Sequence, residues 1–283
     1  MSNFIAERIC FYSSMFRGRS SAVEIMNCAA DFGVGGIELM SFCDELKTPD
    51  MQTARRLGGM ARERGLVLPC FSVGVNLVGD NRAEQLERLR GYAEICSELE
   101  IPYLHHTVIP GLSYAALAGD LEAMTALGIE QAIRINEYAA TLGVRTVLED
   151  QGFVFNGVGG FGRVIAASGG RIGTLLDVGN IMFVDERAED FGRAYADSIV
   201  HVHIKDYRIL DTPPTDPDPR PYVSRGGRYI LPAEIGTADV NLTAVAQVLR
   251  DADYKGYFAM EFERVKDMTE VERVLGRMST IFA

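Results

Sequence analysis

Four polar residues close apolar runs in the second half of the chain. Glu149 follows Thr-Val-Leu, Asp177 follows Thr-Leu-Leu, His203 lies in Ile-Val-His-Val-His-Ile, and Glu261 follows Phe-Ala-Met. They stand 28, 26 and 58 residues apart. A short apolar run ending in an ionisable group reads as a buried strand that delivers that group to its end. One such glutamate would be an N-cap or an ion-pair partner. Four on successive strands have a different consequence. Three carboxylates gathered in one place repel one another and raise their own pKa values, and a divalent cation removes the conflict. Carboxylate oxygens with a single imidazole suit Mn²⁺, Mg²⁺, Co²⁺ or Zn²⁺, with Mn²⁺ favoured by the oxygen-rich set.

His203 belongs to the stretch His201-Val-His-Ile-Lys-Asp206, where alternation puts His201, His203 and Lys205 on one face. Ionisable side chains on a buried strand need partners. His201, one layer below His203, is expected to support a ligand or to sit in the core. Lys205, one step above, would neutralise an oxyanion or pair with Asp206 or Glu263. Glu38, at the end of an earlier strand, would reach the substrate or pair with Lys205 or an arginine. His105 and His106 are adjacent, so at most one faces the site; His106 is expected to be the substrate-facing one. Phe11, Phe71 and Phe153 would form either an apolar wall or ordinary core. Met26, Met40, Met60, Met124 and Met182 read as core filler.

These groups must be positioned by a repeating framework. Strands are expected over 8–13, 36–42, 66–75, 101–108, 144–150, 171–178, from 199 through the histidine stretch, and 257–263. Helices are expected over 20–32, from 48 to 64, 81–99, 121–142, 160–168, 187–197, 241–252 and 269–281. Ser20 or Ser21 would cap the first, with Gly33 as its stop. Eight strand–helix units point to one domain over 1–283, a single (β/α)8 TIM barrel with its active site at the C-terminal ends of the strands. A doubly wound sheet is the alternative, but the first strand lacks the GxGxxG turn that dinucleotide binding would want. One connection is long, about 208–239, and contains a Pro-rich run. Loops of this length are functional or disordered. It is expected either to form a lid or substrate wall, with Arg225 or Arg228 anchoring an anion, or to be a surface loop or oligomer contact.

Length and composition bound the rest. The 283 residues are 47% hydrophobic and carry a net charge of −11. That balance argues against a nucleic-acid surface, which needs clustered Lys and Arg, and suits a small-molecule substrate. No basic cluster suits a phosphate, which favours an unphosphorylated substrate. The five cysteines include no CxxC pair and are expected to be reduced, as in a cytoplasmic protein. Met1–Cys10 has no apolar h-region, so no signal peptide is expected, and no apolar run is long enough to span a membrane. A homo-oligomer is compatible with the sequence.

In strand order the chain resembles the xylose-isomerase-like TIM barrels, the superfamily of ketose 3-epimerases, hydroxypyruvate isomerase and inosose dehydratase. The resemblance covers essentially the whole chain. It rests on Gly36-Ile-Glu-Leu, Leu148-Glu149, Leu176-Asp177-Val-Gly179, His201-Val-His203-Ile-Lys205-Asp206 and Met260-Glu261. It implies that Glu149, Asp177, His203 and Glu261 are metal ligands and that Glu149 and Glu261 also serve as the acid–base pair. A metal chelating a carbonyl oxygen and the adjacent hydroxyl would acidify the carbon between them. Two glutamates could then move a proton through an enediolate, as epimerisation requires. The implied activity is isomerisation or epimerisation of a small sugar, polyol or keto acid. A lyase on the same site, dehydrating as inosose dehydratases do or cleaving a C-glycoside, is the alternative. An apurinic endonuclease would want more histidines and a basic face, and a non-catalytic paralogue would not need all four ligands. Two departures bear on substrate and outcome. Asn180 stands where many relatives have a histidine that holds a substrate oxygen, and Asp150-Gln-Gly-Phe153 follows the first ligand where many epimerases have an Asn or another glutamate.

Overall fold

The computed structural model describes residues 6–12, 21–41, 44–109, 111, 120–216, 219–261, 265 and 267–282. Eight parallel strands close a barrel. They are β1 (Ile9–Tyr12), β2 (Gly36–Met40), β3 (Cys70–Val73), β4 (Tyr103–His106), β5 (Arg145–Glu149), β6 (Gly173–Asp177), β7 (Ile199–Ile204) and, last in the chain, β11 (Phe258–Met260). β11 pairs with both β7 and β1, which leaves the barrel without an edge.

Eight α-helices occur among the described residues: α1 (Ala22–Asp31), α2 (Met51–Glu63), α3 (Arg82–Glu98), α4 (Leu121–Thr141), α5 (Gly157–Ala167), α6 (Ala188–Tyr195), α7 (Leu242–Asp251) and α8 (Met268–Ile281). Local chemistry sets their starts. Ser21 and Glu24 form a reciprocal capping box on α1. α2 starts later than the Thr48-Pro49 expectation because the Asp50 side chain accepts from Thr53 N at 2.7 Å. α5 starts earlier than expected, because Asn156 caps it through Gly157 N at 2.7 Å.

The two faces of each strand have separate partners. Ile9, Phe11, Ile37, Leu39, Phe71, Leu104, Leu148, Leu176, Val202 and Met260 join the main core that packs against the helices. Cys10, Tyr12, Met40 and Ala259 form one inner cluster, and Cys70, Val147 and Leu175 another. This period-two division is the barrel form of the alternation rule. It also places Phe11 and Phe71 outside the barrel, 6.1 Å from Phe32 and 5.0 Å from Tyr92 between ring centres. They are core, not a substrate wall.

The long connection folds. β8 (Asp206–Leu210), β9 (Tyr222–Val223) and β10 (Tyr229–Ala233) make an antiparallel sheet in the order β8–β10–β9. Asp206 pins its base. Its carboxylate accepts from the backbone N–H groups of Tyr207, Gly236, Thr237, Ala238 and Val240 at 2.9–3.1 Å. Asp185 holds the turn, accepting from Ser224 Oγ at 2.7 Å and Gly226 N at 2.6 Å. No helix among the described residues is long and apolar enough to cross a membrane.

Candidate metal centre

β5, β6 and β7 run side by side and β11 follows, so the residues at their C-terminal ends share one mouth. Single ligand atoms from Glu149, Asp177, His203 and Glu261 all lie within 4.8 Å of one another. His203 presents Nδ1 to this group, 3.2 Å from Glu261 Oε2, 3.7 Å from Glu149 Oε1 and 3.8 Å from Asp177 Oδ2. His203 Nδ1 is buried and makes no hydrogen bond, and the facing Asp177 Oδ2 and Glu261 Oε2 have the Lys205 ammonium as their close cation, at 2.7 and 3.0 Å. Buried polar atoms are almost always satisfied. An unpartnered imidazole nitrogen facing three carboxylates, an O₃N donor set with more negative charge than one ammonium offsets, fits a divalent cation.

The electrostatics agree. Burial, together with the charges of Glu149 and Glu261, pushes the Asp177 carboxyl well above the usual range despite the opposing Lys205 ammonium. Burial would raise Glu149 too, but His105 and His203 outweigh it and hold it well below that range. Glu261 is likewise held low against burial by Lys205 and His203. Lys205 is buried, with Nζ 2.7 Å from Asp177 Oδ2 and 3.0 Å from Glu261 Oε2. Burial alone would lower its pKa, but the two carboxylates raise it well above the ordinary lysine value. It therefore pairs with two of the candidate ligands, and its described partners do not include Asp206; Glu263 lies outside the described residues.

The other sequence-predicted residues divide. Asn180 lies at the centre: Nδ2 donates to Glu149 Oε1 at 2.6 Å, and Oδ1 accepts from Lys205 Nζ at 3.2 Å. Glu38 does not face the mouth. It is fully buried, and its oxygens take Ser72 Oγ at 2.5 Å, His201 Nε2 at 2.6 Å and His203 Nε2 at 3.1 and 3.2 Å. The reason is its position along the strand, because Glu38 is the middle residue of β2, two residues short of its end. His106 shares the outward parity of Leu104, is fully buried, and places Nδ1 3.0 Å from Thr107 O; burial drops its pKa to about 4. Its neighbour His105 takes the inward place, with Nε2 3.4 Å from Glu149 Oε2. Arg225 ties the antiparallel sheet to the loop after β5 by donating to Phe153 O at 2.8 Å. Arg228 bonds Asp211 at 3.1 Å.

Residues missed by sequence reasoning supply the support. Ser72 Oγ bridges Glu38 and His105 Nδ1, the latter at 2.7 Å. Tyr12 stacks on His203 with ring centres 4.6 Å apart. Ser72 carried a signal, since it is the polar residue at alternate spacing in Cys-Phe-Ser-Val. A second convergence, Cys10 with Glu38 and His201, lies deeper. There Glu38 and His201 already satisfy each other, and burial raises the Cys10 thiol pKa well above normal, so the group acts as support. A cavity of about 830 Å³ at the N-terminal end of the barrel, between Leu68, Tyr103 and Tyr254, touches His201 but none of the four converging ligands. Volume and the convergence of ligand atoms lie at opposite ends of this barrel.

Comparison with known proteins adds the lineage. A magnesium complex of a xylose isomerase-like TIM barrel protein from Mycobacterium smegmatis superposes with a TM-score of 0.75 at 15% identity, covering 100% of both chains. D-psicose 3-epimerase in the presence of D-fructose gives 0.75 at 15% identity, covering 97% of this chain and 99% of that one. Inosose dehydratase of Clostridium perfringens is 28% identical over 92 residues, 32% of this chain, and the match spans only 30% of that protein's length. The profile described as "Xylose isomerase-like TIM barrel" matches residues 27–278. The closed eight-stranded barrel and that match together place the chain in the xylose isomerase-like TIM-barrel family.

Proposed function

We propose that the chain is a divalent-metal-dependent isomerase or epimerase of a small sugar, polyol or keto acid, with Glu149, Asp177, His203 and Glu261 as ligands and Mn²⁺ as the favoured ion. The observation that carries this reading is the convergence of four ligand atoms within 4.8 Å, with the His203 Nδ1 among them buried and without a hydrogen bond. When bound, the ion would polarise a carbonyl and its neighbouring hydroxyl and so acidify the C–H between them.

The rest is assigned to the chain's own groups. Glu149 is aimed by Asn180 at 2.6 Å and by His105 at 3.4 Å, so its carboxylate is preorganised as a base. Glu261 comes from β11, three strands away around the barrel, and its side chain is 23% exposed, open enough to deliver or take a proton at the substrate. Two carboxylates reaching one carbon from different strands suit epimerisation; one acting alone suffices for aldose–ketose exchange. Lys205 would offset negative charge developing on a substrate oxygen, and Asn180 would orient one by hydrogen bonding.

A dehydratase is the second reading, favoured by the local similarity to inosose dehydratase. Incubating the Mn²⁺-supplemented protein with ketoses and inososes in deuterated water separates the two. Carbon-bound deuterium in an isomeric product supports the first, and loss of a hydroxyl with formation of an unsaturated or deoxy ketone supports the second. No solvent exchange and no product across both panels would overturn both.

A further inference from the structure

We propose that Glu38 is the positioning residue that commits His203 to the metal through Nδ1, by holding a proton on the opposite nitrogen. This rests on the metal reading above and goes beyond it in naming what sets the ligand's orientation. Glu38 is fully buried. Three donors surround its carboxylate: Ser72 Oγ at 2.5 Å, His201 Nε2 at 2.6 Å and His203 Nε2 at 3.1 and 3.2 Å. An ionised carboxylate accepts and cannot donate. With that carboxylate ionised, both imidazoles would donate to it from Nε2.

For His203 the consequence reaches the site. A neutral ring with Nε2–H has its lone pair on Nδ1, and Nδ1 is the atom that faces Glu149, Asp177 and Glu261. Without Glu38, those three carboxylates would be the anions nearest the ring among the described residues and would draw its proton to Nδ1, which blocks coordination. Glu38 supplies the opposing acceptor, and Tyr12, stacked at 4.6 Å, limits rotation of the ring. His201 and Ser72 in turn hold Glu38 in place. Partners of this kind on the far nitrogen of a ligating histidine fix its orientation, and their loss costs about 10–100-fold in metal affinity.

The test uses the whole chain and two readouts besides turnover. In ¹⁵N-labelled wild-type protein, with or without Mg²⁺, the His203 Nε2 signal should be that of a protonated nitrogen coupled to a slowly exchanging proton. A bare, pyridine-type Nε2 in the Mg²⁺-loaded protein would overturn the proposal without any variant. Calorimetric titration with Mn²⁺ is the second readout. Glu38→Gln has one acceptor oxygen and must point an N–H at one of its neighbours, so its Mn²⁺ affinity should fall about 10–100-fold. Glu38→Asp keeps a carboxylate and should recover most of it. Thermal melts of the metal-free proteins check that each variant is folded. Wild-type affinity in a folded Glu38→Gln variant would overturn the proposal while leaving the metal reading intact. Failure of the wild-type protein to bind Mn²⁺ would overturn the metal reading, and the positioning role of Glu38 would fall with it.

Discussion

Replacing Lys205 with methionine should destabilise the metal-free protein and make it depend on a divalent ion. Lys205 is buried with its ammonium between Asp177 at 2.7 Å and Glu261 at 3.0 Å. Removing one partner of a buried ion pair leaves an uncompensated charge and costs about 3–5 kcal/mol. Glu261 is partly exposed and Asp177 already holds a proton more readily than usual, so the low end, about 3 kcal/mol, applies. For a chain of this size that corresponds to a fall in Tm of roughly 6–12 °C. A bound divalent ion supplies the missing positive charge. At a free concentration 100 times Kd, Mn²⁺ adds about 2.7 kcal/mol to any folded state that binds it. The variant has lost a competing cation and should bind Mn²⁺ more tightly, so its gain should exceed that of the wild type. Differential scanning calorimetry of both proteins, in EDTA and in Mn²⁺, measures the four values. Equal melting in EDTA together with equal gains in Mn²⁺ would refute this charge balance.

Three further outcomes follow from the same geometry. Glu149→Gln and Glu261→Gln should each lower turnover about 10²–10⁴-fold, as read by deuterium exchange on the substrate carbon; activity within threefold of wild type would remove that residue from the acid–base pair. Mn²⁺ affinity should rise with pH. Burial and its carboxylate neighbours raise the Asp177 pKa, so protons compete with the ion there more strongly than at an ordinary carboxyl, and the gain levels off above that pKa. Calorimetry in two buffers of different ionisation enthalpy should show proton release, and none would contradict the assignment. Glu234, bonded to Arg273 at 2.8 Å and Arg277 at 2.5 Å, has its pKa pulled by those guanidiniums to about 2. A depressed carboxylate pKa stabilises above the ordinary range and loses that contribution as pH falls from about 4.5 towards 2. With Arg273 half exposed, Glu234→Gln should cost only about 1 kcal/mol at neutral pH, and urea unfolding should show the difference vanishing near pH 2.

The convergence of Glu149, Asp177, His203 and Glu261 is legible because each lies at or near the end of an apolar run on a strand that is largely buried. The barrel followed from the same runs alternating with helical patterns. Depth within the barrel was not legible. Glu38 reads as a strand-end residue, but β2 runs two residues past it to Met40, and the end of an apolar strand leaves no sharp mark in sequence. The parity of β4 was equally hidden, since His105 and His106 swap faces with a one-residue shift, and the structure gives the inward place to His105. The antiparallel sheet was masked by the Pro-rich run and by Lys205, the single residue between β7 and β8, where the chain leaves the barrel without a turn signal. Arg225, in a loop expected to offer it or Arg228 as an anion anchor, donates in the folded chain to the Phe153 carbonyl.

The most direct test of the metal centre is anomalous scattering at the manganese edge from crystals equilibrated with Mn²⁺. One peak should appear within coordination distance of Glu149, Asp177, His203 Nδ1 and Glu261, with Lys205 displaced from Asp177. A manganese peak elsewhere, with these four side chains left as they stand and Lys205 still between Asp177 and Glu261, would contradict the account.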